Sequence, residues 1–121
     1  MKTKILVPTN FSEKSEMALD YALALSRLQP TEVYLFHVFE SSAKNFSKVD
    51  KLNRESMDRM KVAMNESIDR QHALGVKHGV EEVYRRVANG KPADEILKMA
   101  DAVSADLVVM GAPTSRGFKR F

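Results

Sequence analysis

The residues of this 121-residue chain that could do chemistry sit mostly where an apolar run stops. Pro8-Thr9-Asn10 follows Ile5-Leu6-Val7, and Phe39-Glu40 closes the run from Val33. Ala88-Asn89-Gly90 closes Val80 to Val87, and Met110-Gly111 closes Leu107-Val108-Val109. Such residues suit a backbone-lined cleft, because glycine lets the main chain approach a ligand and amides supply neutral donors. Beyond Gly111, Pro113 removes one amide donor, whereas the Thr114 hydroxyl can donate to a phosphate. Arg116, Lys119 and Arg120 then bring three cations with no acid nearby. That short run reads either as a solvated tail or as a phosphate-facing segment.

Other chemistries find little support. His37, His72 and His78 lie on a strand, a helix end and a turn, with no ligand spacing between them. Glu81 and Glu82 are adjacent on a strand and point to opposite faces, which is wrong for a carboxylate pair. Neither a Gly-x-Ser-x-Gly elbow nor a Walker A loop occurs. Ser12 and Ser15 are expected near the cleft, but Ser12 is better explained as a helix cap. With no cysteine, disulfides, cysteine zinc sites and thiolate catalysis are excluded. The formal charge of +3 is spread among interspersed acids, so no nucleic-acid footprint stands out. No apolar run spans a bilayer and no secretory segment opens the chain, so no membrane partner and a cytoplasmic location are expected.

The elements that must position the strand-end residues follow from periodicity. Ile5-Leu6-Val7 reads as a short buried strand ending at Pro8. Ser12 caps a helix with Glu13 and Glu16 in its first turn, and Met17, Tyr21, Leu25 and Leu28 recur at helical spacing as its expected apolar stripe, with Ala18 and Ala22 beside them. Pro30 ends that helix. Val33 to Phe39 is a second strand, and residues 40–51 a loop. A second helix runs from Asn53 to Leu74 on a stripe of Met57, Met60, Met64 and Ile68, with Gly75 as its C′ residue. Val80 to Val87 is a third strand. Pro92 opens a third helix that buries Ile96, Ala100 and Val103, and residues 106–110 form a fourth strand. The order β-α-β-α-β-α-β predicts one α/β domain over residues 1–121, an open, doubly wound parallel sheet. In such sheets ligands sit beyond the carboxyl ends of the strands, where the strand ends above converge.

These residues resemble those of the universal stress proteins. Lys4 to Ser12 (Lys-Ile-Leu-Val-Pro-Thr-Asn-Phe-Ser) is similar to the family's opening, and His37-Val38 to the end of its second strand. Gly90 to Ile96 resembles its third strand-helix turn, and Asp106 to Gly111 the strand leading into its glycine-rich loop. The resemblance implies an adenine-nucleotide alpha-hydrolase-like fold. It also implies ATP, with magnesium, as the ligand in nucleotide-binding members. Carried over residue by residue, the ligand-binding set is Pro8, Thr9, Asn10, Val38, Gly90, Met110, Gly111, Thr114 and Ser115, with no catalytic and no metal-ligating residue. The chain departs from that pattern at Asn10, where nucleotide-binding members carry an acid, and at Thr114, where they carry a second glycine. The resemblance further implies a later Gly-Ser or Gly-Thr pair, a C-terminal helix beginning near Phe118, and a fifth strand that pairs across a dimer. All of these are expected to be absent from, or cut short in, this chain.

Three functions are therefore set against one another. One is a stress-response regulatory module binding ATP or a related adenine nucleotide. Another is a homodimeric stress-response protein that acts through protein contacts without nucleotide. The third, a slow ATPase, lacks any residue presenting itself as base or nucleophile with a partner.

Overall fold

The computed structural model describes residues 2–41, 45–75, 80–111 and 118–119. The elements are β1 (Thr3–Pro8), α1 (Glu13–Leu25) with a 3-10 turn at Ser26–Leu28, β2 (Thr31–Phe39), α2 (Phe46–Ala73), β3 (Val80–Asn89), α3 (Pro92–Val103), β4 (Leu107–Val109) and β5 (Phe118–Lys119). They form one sheet in the order β3-β2-β1-β4-β5, in which β1 to β4 run parallel. β1 is central and buried on both faces, which explains its unbroken apolar run. Ile5 and Val7 pack with Ala18, Leu19, Ala22 and Leu23 of α1 and with Met60 of α2. Leu6 packs on the opposite face with Tyr34, Phe36, Val108 and Ala100 of α3. Thus α1 and α2 cover one face and α3 the other. Right-handed crossovers require this when the chain steps outward from β1 to β3 and then returns to add β4 on the far side of β1. The reversal puts a switch point between the carboxyl ends of β1 and β4.

Four differences from the sequence reading have physical causes. The first is the face α1 buries. Met17 and Tyr21 are 64% and 44% exposed, and the buried residues are Ser15, Ala18, Leu19, Ala22 and Leu23. Both rows satisfy a helical period, but the two alanines let the helix lie close on the sheet, and the bulkier row turns outward. The second is the start of α2, at Phe46, about two turns before the expected Asn53. Asn45 accepts the Ser47 N–H at 2.9 Å as an N-cap. The polar first turns carry Arg54–Asp50 and Lys51–Glu55 pairs at 3.3 and 3.9 Å in place of buried residues. The third is the end of α1, which passes into the 3-10 turn at Ser26, before Pro30 is reached. The fourth is β5. Where a helix was expected to begin and no fifth strand to be present, Phe118 and Lys119 pair antiparallel with Val109 and Val108. They thereby cover part of an edge that β4 would otherwise expose.

Candidate functional site

A cleft of about 210 Å³ opens at the switch point. Its floor is the carboxyl end of β1 and the loop after it, Pro8, Thr9 and Asn10. One wall is Phe36 and Val38 of β2. The opposite side is Met110 and Gly111 after β4, Ser15 of α1 closes one end, and Pro92 and Ile96 of α3 form the roof. None of these residues is charged.

The β1–α1 loop is built by short-range hydrogen bonds. Thr9 donates its N–H to the Phe36 carbonyl at 2.8 Å, the last rung of the β1–β2 ladder. Its hydroxyl accepts the Phe11 N–H at 3.0 Å. Asn10 Oδ1 accepts the Ser12 N–H at 3.1 Å and the Ser15 hydroxyl at 2.6 Å, while Ser15 Oγ accepts the Asn10 N–H at 3.1 Å. Ser12 Oγ accepts the Ser15 N–H at 3.3 Å, the cap expected of it. These bonds hold Phe11 at φ +64°, a left-handed conformation uncommon for a bulky residue. The Phe11 ring lies 4.5 Å from the His37 ring and beneath the Arg59 guanidinium, which is 3.9 Å from its centroid. His37 Nδ1 lies 2.7 Å from the Thr9 carbonyl oxygen. That oxygen can only accept, so Nδ1 carries the proton and donates.

The same geometry leaves a peptide group facing the cleft. In a parallel ladder alternate residues turn both N–H and C=O to the same neighbour. Phe36 turns its pair toward β1, as its bond from Thr9 shows, and the ladder ends at Pro8–Phe36. Val38, two residues on, therefore turns its N–H and C=O to the same side, past the end of β1. Among the described residues neither group has a backbone partner there. The Thr9 carbonyl, which would have continued the ladder, is taken by His37. Val38 thus offers the cleft a donor and an acceptor side by side.

Gly111 has a packing reason for being glycine. A Cβ there would lie 2.7 Å from the backbone carbon and oxygen of Lys14. The loop after β4 is pressed against the first turn of α1.

Of the residues expected at a ligand site, Pro8, Thr9, Asn10, Val38, Met110 and Gly111 line this cleft together. Gly90 does not line it. It follows β3 at the sheet edge, two strands from the switch point, and donates its N–H to Phe39 at 3.0 Å. Thr114 and Ser115, like Pro113, Arg116 and Arg120, fall outside the described residues. Ser15 lines the cleft it was expected to lie near, whereas sequence reasoning did not reach Phe36, Pro92 and Ile96 as lining. Pro92 and Ile96 were visible only as a helix start and its buried stripe. Among the described residues no group of three or more His, Asp or Glu side chains is placed to hold a metal, and no helix is long and apolar enough to cross a membrane.

A parallel sheet covered by helices on both faces, with its switch point between β1 and β4, defines the class of open, doubly wound α/β domains. The universal stress protein family model matches residues 1–121, and the chain belongs to that family. It is similar to universal stress protein MJ0577 of Methanocaldococcus jannaschii, 29% identical over 93% of this chain and 77% of that one. Among solved structures it resembles a universal stress protein in complex with cAMP (TM-score 0.64, 22% identity, 88% of this chain and 73% of that one). It also resembles a family member from Arabidopsis thaliana with AMP bound (TM-score 0.55, 16% identity, 93% and 78%).

Proposed function

We propose that this chain is a single-domain, cytoplasmic stress-response regulatory module that binds an adenine nucleotide, ATP or a relative of it, in the switch-point cleft. The observation that carries the reading is the open peptide group of Val38. Adenine presents an acceptor at N1 beside a donor at N6, which complements an N–H beside a C=O. The apolar walls, Phe36, Val38, Ile96 and Met110, suit a flat heterocycle. At about 210 Å³ the described cleft is smaller than the roughly 300–1,000 Å³ of pockets that enclose a whole drug-sized ligand. It fits the nucleoside part. Phosphates would continue past Gly111 toward Thr114 and Ser115. Magnesium would arrive with those phosphates, as it does where a protein supplies few ligands of its own. The two structural relatives named with cAMP and AMP favour the same ligand class.

The test is calorimetric titration of adenosine, ATP with magnesium, inosine and 1-methyladenosine. Inosine carries a donor at N1 and an acceptor at position 6, the reverse of adenosine, and 1-methyladenosine has N1 blocked. The reading expects adenosine and ATP to bind and both analogues to lose at least about tenfold, the equivalent of one hydrogen bond left unmade at each edge. Equal binding of all four would remove Val38 from the recognition, and no binding at millimolar ligand would remove the nucleotide reading itself.

A second reading, a homodimer acting through protein contacts without nucleotide, is favoured by Gly111. Its contact with Lys14 accounts for the glycine without any phosphate.

A further inference from the structure

Thr9, Asn10 and Ser15 are the polar side chains that line the cleft, and one of them is fixed in a way that bears on what can lie there. A peptide N–H can only donate, so the Asn10 atom that meets the Ser12 N–H at 3.1 Å must be the oxygen. Rotating the amide would set an NH2 group against that N–H. The Ser15 hydroxyl reinforces the choice by donating to the same oxygen at 2.6 Å, while its own Oγ accepts the Asn10 backbone N–H. Both neighbours belong to the loop and the first turn of α1, so the lock is part of the fold. Oδ1 is occupied, and Nδ2, a pure donor, is the atom Asn10 has left for a ligand.

The position of Asn10 says which part of a ligand meets that donor. In the sheet order β1 stands between β2 and β4. A nucleotide with its base at Val38 on β2 and its 5′ end at Gly111 beyond β4 crosses the end of β1 with its ribose. We propose, resting on the nucleotide reading above, that the locked Asn10 donor makes this cleft prefer adenine nucleotides carrying a phosphate ester at O3′ over those with a free cis-diol. A free diol can accept from Nδ2 through a neutral hydroxyl oxygen, but its own O–H groups find no acceptor at Asn10. A phosphoryl oxygen is a strong acceptor, and hydrogen bonds to ionised acceptors are about twice as strong as neutral ones. No acid lines the cleft to repel the added charge. Specificity then arises from the stronger bond that the same donor makes to a charged acceptor than to a neutral hydroxyl.

The experiment is calorimetric titration of the protein, and of Asn10→Asp, with adenosine, adenosine 5′-monophosphate and adenosine 3′-monophosphate. The two monophosphates carry the same charge, so their difference reports position alone. Wild type is expected to bind the 3′-monophosphate about tenfold more tightly than adenosine, the factor of one charge-assisted hydrogen bond. It should also prefer the 3′- to the 5′-monophosphate. Asn10→Asp keeps an oxygen for Ser12 and Ser15, so it should fold, which a thermal melt checks. It puts an anion in place of Nδ2, and the order of adenosine and the 3′-monophosphate should reverse. Ser15→Ala removes the reinforcing bond and leaves the amide held by the Ser12 N–H alone, so the preference should shrink without reversing. If adenosine binds but the 3′-monophosphate gains nothing, or Asn10→Asp keeps the wild-type order, the Asn10 proposal is overturned and the nucleotide reading stands. If no adenine compound binds wild type, both are overturned.

Discussion

Gly111, at the end of β4, lies against the backbone of Lys14 in the first turn of α1, so closely that a Cβ would meet the Lys14 carbonyl carbon and oxygen at 2.7 Å. The partner is main chain, which cannot swing aside as a side-chain tip can. Gly111→Ala should therefore separate the loop from the helix and destabilise the protein by about 1–3 kcal/mol, the range for overpacking a close contact. Guanidinium denaturation at unchanged m-value measures it. A wild-type midpoint would mean that the two backbones are not in contact in solution.

A second prediction concerns the clasp between α1 and α2. Arg70 donates from Nε and Nη2 to the two carboxylate oxygens of Asp20 at 3.0 and 2.9 Å, and the buried Ser67 hydroxyl donates to Oδ1. The ion pair alone is partly exposed and worth little. The buried hydroxyl decides the outcome, since losing its acceptor costs about 1–3 kcal/mol. Asp20→Ala should cost that much, and Asp20→Asn, which keeps an oxygen for Ser67, distinctly less. Equal losses would assign the effect to charge. The hydrogen bonds it donates to Asp20 raise the Arg70 pKa above its ordinary value. A base whose pKa is raised on folding stabilises fully below its unfolded pKa and loses the effect only as pH rises through the folded one. Alkali up to the mildly basic range should leave this clasp intact, as a melt at pH 9 against pH 7 would show for wild type relative to Asp20→Ala.

A third prediction follows from the Nδ1–H of His37, which holds the Thr9 carbonyl where the ladder stops. His37→Leu should release that carbonyl and cost about 1–2 kcal/mol, besides weakening any ligand at Val38. His37→Asn, whose side-chain NH2 reaches to about where Nδ1 sits, should restore part of both. Failure of Asn to outperform Leu in a paired melt and titration would mean that the ring's packing on Phe11, and not its hydrogen bond, is what the loop needs.

What could be read from the residues alone divides along the same physical lines. β1 was readable because Ile5-Leu6-Val7 is buried on both faces and leaves no alternation to misread. The face of α1 was not, because Met17-Tyr21-Leu25 and Ala18-Ala22 with Leu19-Leu23 share one period. Only the closeness of the sheet, a tertiary fact, selects the smaller row. The start of α2 rests on a side-chain cap and ion pairs, which an apolar pattern does not register. At the cleft, the strand-end residues Pro8, Thr9, Asn10, Met110 and Gly111 come from local punctuation, and Val38 from the family resemblance. Gly90 has the same punctuation, but the strand order carries it to the far edge. Ser15 was readable as lying near the cleft, but its bonds to Asn10 depend on a five-residue return of the chain.

The last prediction tests the strained residue beside the cleft. Phe11 adopts φ +64° and is held there by Arg59 above its ring and His37 against it. Left-handed backbone costs a non-glycine residue about 1–2 kcal/mol, and the cation–π contact returns about 0.5–2 kcal/mol. Phe11→Ala loses the contacts and keeps the strain, whereas Phe11→Gly loses the contacts and releases it. Stability should therefore fall in the order Phe, Gly, Ala, the reverse of the usual ranking in which glycine is less stabilising than alanine. Arg59→Met keeps most of the packing over the ring but removes the charge, and should lose the cation–π share alone. Were Ala to prove more stable than Gly at position 11, the loop would have to relax out of the left-handed region once the ring is gone. The Asn10 lock would then depend on Phe11 as well as on Ser12 and Ser15.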